Sequence, residues 1–335
     1  MITRRKALFG LAAGLGFAGA WPLAARAQQP VRMKRIGVLI PFAESDAEAQ
    51  AQVAAFRKEF QQLGWTEGRN VRFDFRWGAG QAGRIQTFAK ELVALGPDVI
   101  VTRSTPATAA VLKETRTIPI VFVVVSDPVG DGLVASLARP GGNVTGFTNV
   151  EASLGGKWLE LLKEITPSIT RVAVIQNPRT APGRGTYYLR VAKEAASSIG
   201  LKMIVTPIQD AAEITQAIDA FAREPNTGLL VLPDSTTLFH RELVIAAAAW
   251  HRLPAVYSIR VFATDGGLAS YGVDITDLYR RGASYVDRVL RGAKPNELPV
   301  QAPIKFELII NLKTAKALGI PIPRSVLLRA DEVIE

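Results

Sequence analysis

The chain has no cysteine at any of its 335 positions, and it has only two histidines. The first absence excludes disulfides, thiolate metal sites and a lipid-anchoring cysteine, so stability must come from packed cores. The two histidines, His240 and His251, lie 11 positions apart and flank one helix-like stretch. That spacing does not set them side by side on one helical face, and no metal site is expected. Other signatures are missing too. There is no G-x-S-x-G elbow, no G-x-x-x-x-G-K-[ST] phosphate loop and no H-E-x-x-H helix, so neither a serine hydrolase nor a nucleotide-driven motor is expected. After the first residues no charge-free apolar run reaches the ~20 residues of a spanning helix.

What stands at the start reads as an address. Arg4, Arg5 and Lys6 precede an apolar stretch from Ala7 to Trp21, and Ala25-Arg26-Ala27 fits a small-x-small cleavage site. Residues 1–27 are therefore expected to be an export signal cleaved after Ala27, which places the mature chain in the periplasm. Thr3-Arg4-Arg5-Lys6 resembles a twin-arginine signal, although Ala7 departs from its pattern. The formal charge of +10 falls to +6 without this leader, because four of the 40 Lys and Arg residues lie in it and none of the 30 acids does. The remaining charges are dispersed, without a basic stripe or reading module, so no nucleic-acid partner is expected.

The mature chain alternates apolar strand-like runs with amphipathic segments, the pattern of parallel sheets covered by helices. The pattern is stated twice. Arg35-Ile36-Gly37-Val38-Leu39-Ile40 opens the first half and Arg171-Val172-Ala173-Val174-Ile175 the second, and a glycine follows each opening arginine by 29 positions (Gly64 and Gly200). Strands are expected near 34–40, 70–76, 98–102, 119–125 and 143–147, then near 171–176, 202–206, 228–232, 254–257 and 268–272. Helices are expected at 46–63, 84–95, 106–116, 153–165, 184–198, 211–223, 236–250 and 275–291. The resulting fold class is α/β, with two Rossmann-like lobes of parallel strands around a cleft and a multi-strand hinge. The first lobe is assigned 31–148 plus 275–302, and the second 149–274 plus 303–335.

Gly78-Ala79-Gly80-Gln81-Ala82-Gly83 is a literal G-x-G-x-x-G. The preceding strand, however, alternates Arg72, Asp74 and Arg76 with Val71, Phe73 and Phe75, as a half-exposed edge strand does, and no acid ends the next one. The segment reads as a flexible surface turn and not a dinucleotide site.

In open α/β sheets, ligands bind outside the carboxyl ends of the strands. That rule nominates Pro41, Phe42, Ser104, Thr105, Ser126, Asp127, Asn177, Asp234, Ser235, Thr236, Tyr257, Ser258 and Asp274. Thr105 followed by Pro106 reads as a helix N-cap whose free N–H groups suit a carboxylate. Asp234 or Asp274 would then take a ligand ammonium. The plain alternative is that these residues cap helices and close turns.

Several segments carry a family resemblance. Glu67-Gly68-Arg69-Asn70-Val71, Ser126-Asp127-Pro128-Val129-Gly130-Asp131-Gly132, Arg139-Pro140-Gly141-Gly142-Asn143-Val144-Thr145-Gly146, Tyr271-Gly272-Val273-Asp274 and Lys316-Ala317-Leu318-Gly319-Ile320 are the clearest. Over essentially the whole mature chain, the sequence resembles the ABC-transporter substrate-binding proteins related to tryptophan and tyrosine uptake. The resemblance implies a type I periplasmic-binding-protein fold that closes on a small ligand, without cofactor or chemistry of its own. The ligand it implies is an amino acid or other small carboxylate, aromatic in some members. The implied partners are an inner-membrane permease and a separate ATPase chain, with the receptor itself a monomer. Arg179 to Gly185 and Phe42 to Asp46 depart from the tryptophan-type members, which leaves the ligand open. Two other readings stay in view: a ligand sensor docking to a membrane kinase, and an exported α/β enzyme using Asp127 or Asp234.

Overall fold

The computed structural model describes residues 32–335, so the expected leader lies outside the described residues. Two separate sheets repeat one topology. In the first, β1 (Lys34–Ile40), β2 (Val71–Trp77), β3 (Val99–Arg103), β4 (Ile120–Val125) and β5 (Val144–Thr148) lie parallel in the order β2-β1-β3-β4-β5. In the second, β6 (Arg171–Gln176), β7 (Lys202–Pro207), β8 (Thr227–Val231), β9 (Ala255–Tyr257) and β10 (Ala269–Val273) take the equivalent order β7-β6-β8-β9-β10. Antiparallel β11 (Phe306–Asn311) and then β12 (Glu332–Ile334) extend that second sheet beyond β10.

The 29-residue echo has a backbone cause. Helix α1 (Ala47–Gln62) and helix α5 (Leu189–Ser198) each end one residue before a cap that is followed by a glycine, Gly64 or Gly200, at φ 93° and 69°. Trp65 N–H donates to Phe60 and Gly64 N–H to Gln61; Leu201 N–H donates to Ala196 and Gly200 N–H to Ser197. Both helices therefore stop in a Schellman turn, which requires a left-handed residue that glycine supplies at no steric cost.

Helices cover both faces of the sheets. They are α2 (Ala82–Ala94) and α3 (Thr105–Glu114) in the first half, and α4 (Leu154–Ile165), α6 (Ala211–Ala222), α7 (Ser235–Phe239), α8 (Arg241–Trp250) and α9 (Arg260–Thr264) in the second. The long α10 (Ile275–Leu290) returns to the first sheet, where it packs on α1 and β4. The chain crosses between the halves at 149–153, at Val273–Asp274 and at 302–305. These crossings are tied together: Gln301 bonds Gly146 and Thr148, and Asp274 N–H donates to Lys305. No helix among the described residues is long and apolar enough to cross a membrane.

Three local expectations need correction. The stretch 184–198 is helical only from Leu189. Gly183, Arg184 and Gly185 hold φ values of 56°, 53° and 82°, so the Pro182–Gly185 turn cannot run into the helix. The stretch 236–250 is two helices, because His240 (φ −101°, ψ 25°) ends α7 and starts α8. The G-x-G-x-x-G turn does lie at the surface, with Gly80 to Gly83 exposed, but it is not free. Gly78 N–H donates to Ile40 and Gly80 N–H to Pro41, which pins the turn to the chain leaving β1. Strand β2 does lie at the sheet edge, as its alternation requires.

Candidate functional site

The carboxyl ends of both sheets face one cavity of about 90 Å³. One water needs only about 10–15 Å³ by the same measure, so there is space for a small molecule. One half contributes Pro41 and Phe42 after β1, Arg103 at the end of β3 with Ser104 to Pro106 after it, and Val124 in β4 with Ser126 just beyond it. The other contributes Pro233 to Ser235, Leu238 and Phe239, Ser258 and Ile259. Leu154, Trp158, Thr180, Tyr188 and, at the crossings between the halves, Asn149, Val273 and Ile275 complete the wall.

The most consequential group is Arg103, the last residue of β3. It is 6% exposed, and no carboxylate pairs with it among the described residues. Its Nε is buried without a hydrogen-bond partner. Burial lowers its pKa, opposed by the Tyr279 phenol and by the charges of Asp46 and Glu48. An unpaired buried cation costs several kcal/mol unless something neutralises it. Two more buried hydroxyls around the same cavity lack partners: Ser104 Oγ and Ser258 Oγ. Three unsatisfied polar groups, Arg103 Nε and Ser104 Oγ from one half and Ser258 Oγ from the other, thus belong to residues that line one cavity.

The backbone there is strained. Ser104 has φ 79° and ψ 156°, a region natural to glycine, and Val124 has φ 58°, unusual for a β-branched residue. Val124 is the residue at which the pairing of β4 with β5 shifts register, a β-bulge that turns it into the cavity. Such conformations cost on the order of 1–3 kcal/mol each and gather at binding sites. Ser104, one residue earlier than expected, is the N-cap of α3, yet its hydroxyl makes no capping bond. The hydroxyl thus stays free beside the helix N-terminus, where the dipole favours negative charge.

Of the thirteen nominated residues, Pro41, Phe42, Ser104, Thr105, Ser126, Asp234, Ser235 and Ser258 line the cavity. The other five lie outside its wall. Asp127 closes a turn by accepting Gly130 N–H at 2.8 Å. Asn177 and Thr236 bond each other at 2.9 Å. Tyr257 is buried against Phe262 with ring centroids 4.8 Å apart. Asp274 caps α10 by accepting Asp277 N–H at 2.9 Å, in the hinge. The Asp234 carboxylate, though at the wall, is fully engaged. Oδ1 accepts Thr237 N–H at 2.9 Å and Thr180 Oγ1 at 3.3 Å; Oδ2 accepts Thr237 Oγ1 at 2.9 Å and Asn177 N–H at 3.3 Å. Burial raises its pKa, opposed by those hydrogen bonds.

Sequence reasoning missed Arg103, Asn149, Trp158 and Tyr188. Arg103 ends a strand, but it is neither small nor acidic and so does not stand out by residue type. The other three come from the hinge and from α4 and the turn before α5, which a rule about strand ends does not reach.

The halves also touch at the cavity's lip. Phe42 and Phe239 face each other with centroids 5.3 Å apart, and Arg241 reaches Asp46 at 3.5 Å while holding Asp265 at 2.7 Å.

The profile of the family described as ABC transporter substrate binding protein matches residues 35–334. A tyrosine-binding protein of Clostridioides difficile is 30% identical over 263 residues, covering 78% of this chain and 75% of that protein. The chain therefore belongs to the ABC-transporter substrate-binding protein family. Among solved structures, an ABC domain from Streptococcus pneumonia in complex with L-Trp superposes with a TM-score of 0.81 at 27% identity, over 90% of this chain and 100% of that one. A ligand-free, open substrate-binding protein from Clostridium difficile gives 0.69 at 26% identity, over 90% and 99%. The fold is that of type I periplasmic-binding proteins. The family and these neighbours are substrate-binding proteins, not enzymes.

Proposed function

We propose that this chain is the periplasmic receptor of an ABC importer and captures a small carboxylate with an apolar, aromatic body between its two lobes. The single observation behind the ligand class is Arg103, a buried cation of the cavity wall that no carboxylate of the described residues pairs with. Ser104 and the N-terminus of α3 beside it favour the same negative group. Phe42, Trp158, Tyr188 and Phe239 supply flat apolar walls for the remainder.

In this reading the halves are hinged at 149–153, Val273–Asp274 and 302–305, and they close on the ligand. Closure joins surfaces from both lobes for a membrane permease, and a separate ATPase chain supplies the energy. Export with cleavage after Ala27 completes the reading.

Titration of residues 28–335 against aliphatic and aromatic carboxylates, followed by calorimetry, tests it. A true ligand at 100 times its Kd stabilises the fold by about 2.7 kcal/mol. Absence of any carboxylate ligand overturns the ligand class. N-terminal sequencing of periplasmic protein is expected to begin at Gln28, and retention of Met1 overturns the export route.

A further inference from the structure

The aromatic part of the cavity wall depends on one helix contact. Trp158 of α4 and Tyr188, the residue just before α5, both line the cavity and are 0% and 2% exposed. Their rings meet edge to face, with centroids 4.9 Å apart and planes at 62°. The indole N–H is taken by the scaffold, because it donates to the carbonyl of Tyr271 in β10. An indole has no second donor, so Trp158 offers the cavity ring carbon only. Beside it, in the first turn of α4, stand Gly155 and Gly156, both buried. Glycine is a poor helix former, so its place here has another cause. A Cβ on Gly155 would lie 2.7 Å from the Tyr188 carbonyl oxygen and 3.2 Å from the Ala192 nitrogen, a backbone approach that no side chain fits. A Cβ on Gly156 would lie 3.3 Å from the Ala195 methyl and 3.8 Å from Val191, neither of them in the wall. The Tyr188 end of α5 thus rests directly on Gly155.

We infer that Gly155 is a positioning residue for ligand selection. By admitting the Tyr188 backbone it sets the edge-to-face pair of Trp158 and Tyr188, and that pair gives the cavity its preference for a flat aromatic body over a branched aliphatic one. The inference rests on the carboxylate-receptor reading above and adds to it a residue outside the wall. Gly156 faces the same helix without reaching the ring pair and serves as its control. Alanine at either position overpacks the contact between α4 and α5 and lowers stability, so melting temperature does not separate a positioning role from a packing one.

The test uses the protein without its leader. The part of the near-UV circular dichroism that Trp158→Phe removes reports the ring pair with no ligand present. It is expected to be largely lost in Gly155→Ala and kept in Gly156→Ala; retention in both overturns the inference. Calorimetry with L-tryptophan, L-tyrosine and L-leucine then reads selection. The ratio of aromatic to aliphatic affinity is expected to fall by at least about 10-fold in Gly155→Ala and to stay within about 2-fold of wild type in Gly156→Ala. An equal loss for all three probes, or a wild-type preference for L-leucine, overturns the inference and leaves the carboxylate receptor standing. Binding of none of the three by the wild type overturns the ligand class and the selection with it, while the dichroism separately decides whether Gly155 sets the ring pair. Should Gly155→Ala fail to fold, Tyr188→Leu removes the ring and leaves the backbone approach intact, and an unchanged ratio there overturns the inference.

Discussion

The guanidinium of Arg103 lies 4.1 Å from the centroid of the Phe42 ring. A cation over an aromatic face gains on the order of 0.5–2 kcal/mol, most when desolvated. That contact orients Arg103 without neutralising it, which in the proposed reading leaves the charge to a ligand carboxylate. The ring belongs to the same lobe and also meets Phe239 of the other. One aromatic side chain thus links Arg103 to the lip of the cleft.

Replacing Arg103 by Met keeps the length and apolar stem of the side chain and removes the charge. Hydrogen bonds to charged groups contribute about 1.5–3 kcal/mol, so carboxylate affinity is expected to fall by at least roughly 10- to 100-fold. The ligand-free protein is expected to melt at the same temperature or higher, because a buried unpaired charge has been removed. Calorimetry and thermal melting read the two effects separately. A large loss of stability in the free protein would mean that Arg103 has a structural partner.

The lip contacts should act on release. The Arg241–Asp46 pair is partly buried, with side chains 21% and 14% exposed, and such pairs contribute about 0.2–1 kcal/mol. Arg241→Met is expected to speed dissociation by roughly 1.5- to 5-fold, and Phe239→Ala by somewhat more, since an aromatic pair adds about 0.5–1.5 kcal/mol. Association rates should change little. Stopped-flow Trp fluorescence gives both rates, and small-angle scattering should show a smaller radius of gyration with ligand than without. Unchanged dissociation in both variants would exclude a clasp.

Much of the scaffold could be read in the sequence because its causes are local. The 29-residue echo reports two Schellman glycines, and the alternation of Arg72, Asp74 and Arg76 reports an edge strand. The site was legible only where it sits on strand ends. The break at His240 and the left-handed turn at Gly183–Gly185 interrupt stretches whose hydrophobic spacing suits one helix. The φ values of Ser104 and Val124 are imposed by tertiary packing and leave no mark in residue type. Arg103 was visible as a residue but not as a charge, because its lack of a partner is a property of the folded neighbourhood.

Gly272, within the Tyr271–Asp274 motif, gives a packing test. A Cβ at this position would lie 2.0 Å from the carbonyl oxygen of Ser258, a wall residue of the cavity. No L side chain fits without separating β10 from the chain leaving β9. Gly272→Ala is expected to cost roughly 1–3 kcal/mol, the usual range for overpacking, and to weaken ligand binding by displacing Ser258. Chemical denaturation and calorimetry check both, and wild-type values for the variant would show that the two segments separate freely.

The pH dependence of stability offers a last test, at Glu307 on β11. Burial pushes its pKa from 4.5 up to about 6, outweighing the pull of Arg260, whose guanidinium lies 3.0 Å away. Because the folded value is raised, the fold favours the protonated acid. Its contribution is fully present below pH 4.5 and is lost as pH rises through about 6. A shift of this size corresponds to at most about 2 kcal/mol. Glu307→Gln imitates the neutral form and removes the titration. The melting temperature of the variant relative to wild type is therefore expected to climb between about pH 4.5 and pH 6.5 and to level off above about pH 7. A difference that falls over this window would mean that the Arg260 pair dominates and that the ionised form of Glu307 is the one the fold prefers.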